Sequence, residues 1–147
     1  MSSAPGKEII TSLTPGELQE LQQHHLAGSI LVIKFGAEWC GPCKRIQPLL
    51  HYWMNQCREN ILCAEIDVDD NIDLYMALKR HKMIGSIPTL LAFHGDYVRD
   101  PKQWFIPDDS VIGSDEGPVK AFLDRCTIKA DSMRGGSAGG SAGGSAP

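Results

Sequence analysis

The residues from Ile30 to Cys43 constrain this chain more than any others. Ile30 to Phe35 is a short apolar run rich in β-branched residues. Such a run suits a central strand buried on both faces. Only a few residues later comes Cys40-Gly41-Pro42-Cys43, and the chain from Pro42 to about Cys57 has helical spacing. Its apolar side carries Ile46, Leu49, Leu50, Trp53 and Met54, and Pro48 is expected to kink it. A strand that runs straight into two cysteines at a helix start is a specific arrangement. Free N–H groups and the helix dipole stabilise a thiolate there. Cys40 is expected just outside the helix, as the attacking sulfur. Cys43 is expected one turn inside, more buried, as the resolving sulfur. Gly41 and Pro42 permit the tight approach and remove one N–H. A CxxC by itself also fits half of a metal site or an inert pair. The strand-then-helix setting within a βαβ pattern favours redox exchange.

The rest of the chain alternates in the same way. Thr14-Pro15-Gly16-Glu17 is a capping box with proline at the first helical position, which predicts a helix over about Pro15 to His25. Ile61 to Val68 reads as a strand. Asp69 or Asp70 is expected to cap a helix through about Lys82. Thr89 to Phe93 reads as a strand, His94-Gly95-Asp96 as a turn, and Val111-Ile112 as a short edge strand. Gly117-Pro118 opens a last helix. This alternation predicts an α/β protein with a mostly parallel centre. Residues 1–130 are expected to form one domain. Residues 135–147 repeat Gly-Gly-Ser-Ala and read as a flexible coil outside it.

Composition removes several classes of function. The net charge of −4 and the scattered Lys and Arg leave no basic stripe for nucleic acid. Lys79-Arg80-His81-Lys82 is the one dense basic run, and it reads as a solvated helix end. No apolar run is long enough to span a bilayer. Residues 1–13 lack the basic and apolar regions of a secretory signal, so the expected location is the cytoplasm. Five cysteines, an odd number, argue against a disulfide framework. No second CxxC or spaced His pair completes a zinc site, so no metal is expected. Cys63 reads as a small buried hydrophobe. Cys57 and Cys126 are candidates for partial exposure, regulatory oxidation or dimerisation.

Phe35-Gly36-Ala37-Glu38-Trp39-Cys40-Gly41-Pro42-Cys43-Lys44, with Pro48 beyond it, resembles the thioredoxin family. Ile87-Pro88-Thr89 matches that family's cis-proline segment, and Gly113 resembles the glycine bordering its substrate groove. The resemblance covers about residues 8 to 130. It implies the thioredoxin fold, a central mixed sheet flanked by helices. It implies a peptide groove beside Cys40, with Trp39 supporting the loop, and a cis Pro88 whose neighbour Ile87 pairs with substrate backbone. It further implies reduction of protein disulfides by a monomer with no bound cofactor. The electrons would come ultimately from NADPH through a thioredoxin reductase. Gly41-Pro42 carries no histidine, which resembles the reducing members. The alternative is an interaction module of the same fold or a client-specific redox adaptor; the complete Trp39-to-Cys43 motif weighs against the former.

Three departures from the family stand out. Lys34 occupies the position of the family's buried aspartate, and Glu65 the position of its partner lysine. Either the two form a reversed ion pair under the CxxC, with Glu65 as proton acceptor for Cys43, or Lys34 snorkels outward and Glu65 is exposed. Gly36 replaces a common tryptophan and is expected to open space near Cys40. Residues 97–110 form an insertion whose Trp104 and Phe105 either bind a partner or, more commonly, pack the loop onto the domain.

Overall fold

The computed structural model describes residues 7–142, with side chains described through Arg134. Five strands form one mixed sheet: β1 (Ile9–Ile10), β2 (Ile30–Gly36), β3 (Ile61–Asp67), β4 (Thr89–His94) and β5 (Asp109–Ile112). Their spatial order is β1-β3-β2-β4-β5. β1, β3 and β2 run parallel, while β4 and β5 are antiparallel to their neighbours. The helices are α1 (Pro15–His24), α2 (Gly41–Gln56), α3 (Ile72–Arg80) and α4 (Glu116–Ala142).

Every residue of β2 is buried, as its apolar run predicts. Side chains alternate across a strand, so the run feeds two cores. Leu31, Ile33 and Phe35 pack with Leu18 of α1 and with Leu74 and Leu78 of α3. Ile30 and Val32 pack with Ile46, Leu50 and Met54 of α2 and with Phe122 and Leu123 of α4. Lys34 and Gly36 share the parity of Val32, which places them on the α2 side. The same parity in β3 puts Glu65 with Ile61 and Cys63.

Several boundaries differ from expectation for identifiable reasons. β1 has only two residues, too few to show a period, and it exists because β3 offers an open edge to Ile9 and Ile10. α3 begins after Asn71, not after Asp69 or Asp70. The Asn71 side chain makes no cap bond. Instead its Oδ1 accepts the Leu13 N–H at 2.9 Å and its Nδ2 donates to the Asp67 carbonyl at 3.0 Å, tying the start of the domain to β3. Pro48 lies inside α2, which runs on past it to Gln56. The expected coil over 135–147 is helical in its backbone as far as Ala142, as the end of α4; residues 143–147 lie outside the described residues. A nucleated helix extends at one hydrogen bond per residue, which favours this run-on.

The 97–110 insertion is packed down. Buried Arg99 pairs with Asp108, donates to the Ile106 carbonyl at 2.8 Å and lies over the rings of Phe93 and Tyr97. Asp108 also accepts from Tyr97 Oη at 2.6 Å and from the His94 N–H at 2.7 Å. Trp104 and Phe105 are half-buried against the α1/α3 core, and His81 stacks on Phe105 at 3.6 Å. The aromatics therefore anchor the insertion and form no free patch. Thus His81, at the end of the basic run, is not simply solvated.

Gly95 shows how tightly β4 leaves the sheet. Its N–H bonds the Ser29 carbonyl and its carbonyl accepts from Gly28, and a Cβ there would stand 1.8 Å from the Leu26 carbonyl oxygen. Backbone cannot yield that distance, so Gly95→Ala should destabilise by about 3 kcal/mol in urea unfolding. Gly117→Ala, which meets nothing within 4 Å, should be neutral or stabilising by up to about 1 kcal/mol. Equal effects at the two sites would contradict this packing.

Candidate functional site

The loop from β2 to α2 carries the site. β2 ends at Gly36, and four residues later Cys40 is the N-cap of α2. Its extended backbone (φ −91°, ψ 108°) turns the sulfur back over the first helical turn, where Sγ accepts the Cys43 N–H at 3.2 Å. Pro42 stands within that turn, where its missing N–H costs nothing. Cys40 and Cys43 are joined as a disulfide. Cys40 is 5% exposed and Cys43 2%, so burial differs less than the sequence suggests.

Trp39 is 69% exposed and is steadied by its Nε1, which donates to Asp69 Oδ2 at 2.8 Å. Asp69, expected to cap α3, thus supports the active loop instead. The peptide bond from Ile87 to Pro88 is cis, as the motif implies. The Ile87 carbonyl lies 4.0 Å from Cys40 Sγ. Gly113 has φ +100°, a region that favours glycine, and its N–H bonds the Pro88 carbonyl at 2.9 Å. Cys40, Ile87, Pro88 and Gly113 thus adjoin one another, drawn from three separate segments.

Lys34 and Glu65 do pair, at 3.1 Å between Nζ and Oε2, with side-chain exposures of 6% and 25%. They are direct partners in the parallel register of β2 and β3. Snorkelling is excluded by the burial of Lys34. His51 of α2 was not singled out in the sequence, where it has no motif around it. Its Nε2 stands 2.8 Å from Glu65 Oε1. Burial pushes the Glu65 carboxyl up, but hydrogen bonds from His51 and Lys34 outweigh it and hold the group below its ordinary range.

As expected, Gly36 lines open space at the active loop, though beside Cys43 rather than Cys40. A Cβ there would stand 3.1 Å from Lys34 Cε and 3.3 Å from Cys43 Sγ. Glycine makes room for the long lysine beneath Cys43. Next to it lies a cavity of about 420 Å³, lined in part by Thr11, Lys34, Cys43, Gln47 and Glu65. Among the described residues, no group of three or more His, Cys, Asp or Glu is placed to hold a metal ion.

Known proteins share this fold. The thioredoxin family model matches residues 13–103. The mitochondrial thioredoxin of Mus musculus is 32% identical over 97 residues, which is 65% of this chain and 50% of that protein. The bifunctional thioredoxin reductase/thioredoxin of Mycobacterium leprae is 35% identical over 65 residues, 44% of this chain and 13% of that protein. The chain spans half or less of the length of these relatives. The crystal structure of Malassezia sympodialis thioredoxin superposes with a TM-score of 0.62 at 19% identity, covering 86% of this chain and 97% of that one, a likeness of fold. With the matched residues reaching from Leu13 through the CxxC and cis-proline segments to Gln103, this chain belongs to the thioredoxin family.

Proposed function

We propose that this protein is a thiol–disulfide oxidoreductase that reduces disulfides of protein clients. The position of Cys40 carries the reading: it caps a sixteen-residue helix, is bonded to Cys43 one turn in, and borders the Ile87-Pro88 segment. In the dithiol form, the Cys43 N–H and the helix dipole stabilise a Cys40 thiolate. That thiolate attacks one sulfur of the client disulfide. The client S–S bond breaks, one client sulfur leaves as thiolate and takes a proton, and a mixed disulfide forms with Cys40. Cys43 then gives up its proton and attacks Cys40 Sγ, which releases the second client thiolate. Two electrons pass to the client as Cys40 and Cys43 become a disulfide. The Ile87 backbone aligns the client segment, and Gly113 leaves the far side of the groove clear.

Cys43 needs somewhere to send its proton. We assign this to Glu65 across the 420 Å³ cavity that both residues line, which is roomy enough for water to bridge them. Lys34, which lines the same cavity as Cys43, favours the thiolate by its charge. It also keeps Glu65 ionised, which makes Glu65 a weak base when alone. His51, half-exposed at the other carboxylate oxygen, links Glu65 to the solvent side of α2.

The electron donor in this reading is a flavin-dependent thioredoxin reductase drawing on NADPH. The similar Mycobacterium leprae protein, named as both reductase and thioredoxin, supports that pairing. Gly41-Pro42 puts no imidazole next to Cys40, which favours a reducing role in the cytoplasm, where thiols are kept reduced.

Insulin reduction driven by dithiothreitol tests the activity. The intact chain should turn over, and Cys43→Ser should lose at least about 100-fold while accumulating a mixed disulfide with client. Absence of turnover by the fully reduced intact chain would overturn the reading. Glu65→Gln should shift the pH dependence of Cys43 alkylation; an unchanged profile sinks the proton-acceptor role. The same variant strands Lys34, so it should destabilise by about 1–3 kcal/mol at pH 7. Lys34→Met/Glu65→Leu should recover most of that loss. Because the Glu65 carboxyl is depressed, its contribution is present above the ordinary carboxylate range and lost as pH falls through the folded value. The gap between wild type and Glu65→Gln should therefore close on acidification.

A further inference from the structure

Three cysteines stand outside the active loop, and two of them meet. Cys57 follows directly on α2 with an extended backbone (φ −71°, ψ 170°) and is half-buried. Cys63 is buried in β3, on the face covered by α2 and α4. Their sulfurs are 3.7 Å apart. A disulfide bond is about 2.05 Å long, so about 1.7 Å remains to be closed. Cys63 is held on both sides, by Ile9 of β1 and Val32 of β2. Cys57 belongs to neither helix nor strand, so the closing movement falls to it. Cys126 is buried in the same cluster, but burial pushes its thiol up to about 12, which leaves it without thiolate at neutral pH.

We propose that Cys57 and Cys63 are a second redox-active dithiol, at the opposite end of α2 from Cys40 and Cys43, which a peroxide oxidises to a disulfide. The pair is polarised. The Cys57 and Cys63 thiols share a hydrogen bond, and this contact, aided by the nearby Lys7 ammonium, overcomes burial and draws the Cys57 thiol down to about 6. The same bond and burial push Cys63 up. Lys7 is itself fixed by the Ile61 carbonyl at 2.7 Å and by that of Arg58. Its positive charge offsets the negative C-terminal end of α2, which opposes a thiolate at Cys57. Cys57 therefore attacks and Cys63 resolves. A cavity of about 370 Å³, lined by Lys7, Ile9, Ile61, Leu62 and Cys63 among others, borders the pair on the Cys63 side, while half-buried Cys57 is itself partly open to solvent.

The chemistry balances with a peroxide as oxidant. The Cys57 thiolate attacks one peroxide oxygen, the O–O bond breaks, and the departing hydroxide takes a proton to become water. Cys57 is now a sulfenic acid, oxidised by two electrons. The Cys63 sulfur attacks Cys57 Sγ, the S–O bond breaks, and the hydroxide leaves with the Cys63 proton as a second water. The resulting disulfide clamps the end of α2 to β3, two residues before Glu65.

The full chain, reduced and freed of dithiothreitol, is treated with hydrogen peroxide. Remaining thiols are alkylated and counted by intact mass, and the crosslinks are mapped by peptide mass spectrometry. The reduced chain holds five thiols. Closure of Cys40–Cys43 leaves three, and the expected endpoint is one, on Cys126, with Cys57 linked to Cys63. Cys57→Ser should lose two thiols rather than four. A wild-type endpoint of three thiols overturns the proposal, as does loss of Cys57 to sulfinic acid or to a bond between chains. The wild-type map decides the question even where the variant fails to fold, and it does not depend on insulin reduction.

Discussion

A strand covered on both faces has no side that can carry an unpaired polar group, and β2 is such a strand. It is hydrogen-bonded to β3 on one side and β4 on the other, and each of its residues is buried. Its apolar residues bind α1 and α3 to one face and α2 and α4 to the other. Its end also sets where Cys40 stands, because the active loop begins where the strand stops. A rigid strand beneath a helix N-terminus holds a reactive sulfur in place at the edge of the core.

The single charged residue of β2 follows the same logic. Buried Lys34 is tolerated because Glu65 is its register partner on β3 and because Gly36 leaves room for its side chain. His51 then meets the second oxygen of that carboxylate from α2. Strand, neighbouring strand and helix thus converge beneath Cys43. The signs are reversed relative to the family's usual aspartate and lysine, yet a carboxylate and an ammonium are both still present. Both members of the pair line the cavity that Cys43 also lines.

Some of this was readable in the order of residues. β2, α2 and the CxxC between them follow from periodicity and local chemistry, which need no distant partner. The capping box at Thr14 closes as read, with Glu17 N–H to Thr14 Oγ1 at 3.0 Å. The Lys34–Glu65 pairing was readable only as one of two outcomes, because an aliphatic lysine stem suits a buried pair and a snorkelling side chain equally well. β1 and the role of Asn71 were not legible, since each depends on an edge or a backbone N–H more than fifty positions away. Arg99 gave no local sign of its burial, which rests on Asp108, Phe93 and Tyr97 arriving around it.

The sequence by itself determined the alternating architecture, the helix that begins at the CxxC, and the identity of the two sulfurs that are joined there. These are local properties, set by side-chain period, by the geometry of Gly and Pro, and by the N–H groups that any helix start leaves free. Only the tertiary structure decided what lies beneath and behind those sulfurs: that Lys34 is paired, that His51 joins it, that Asp69 steadies Trp39, and that Cys57 lies against Cys63. The physical reason is register. Which side chains meet across a sheet, or between a helix and a strand, depends on how whole elements slide and stack. A shift of one residue would turn Glu65 and Cys63 to the other face.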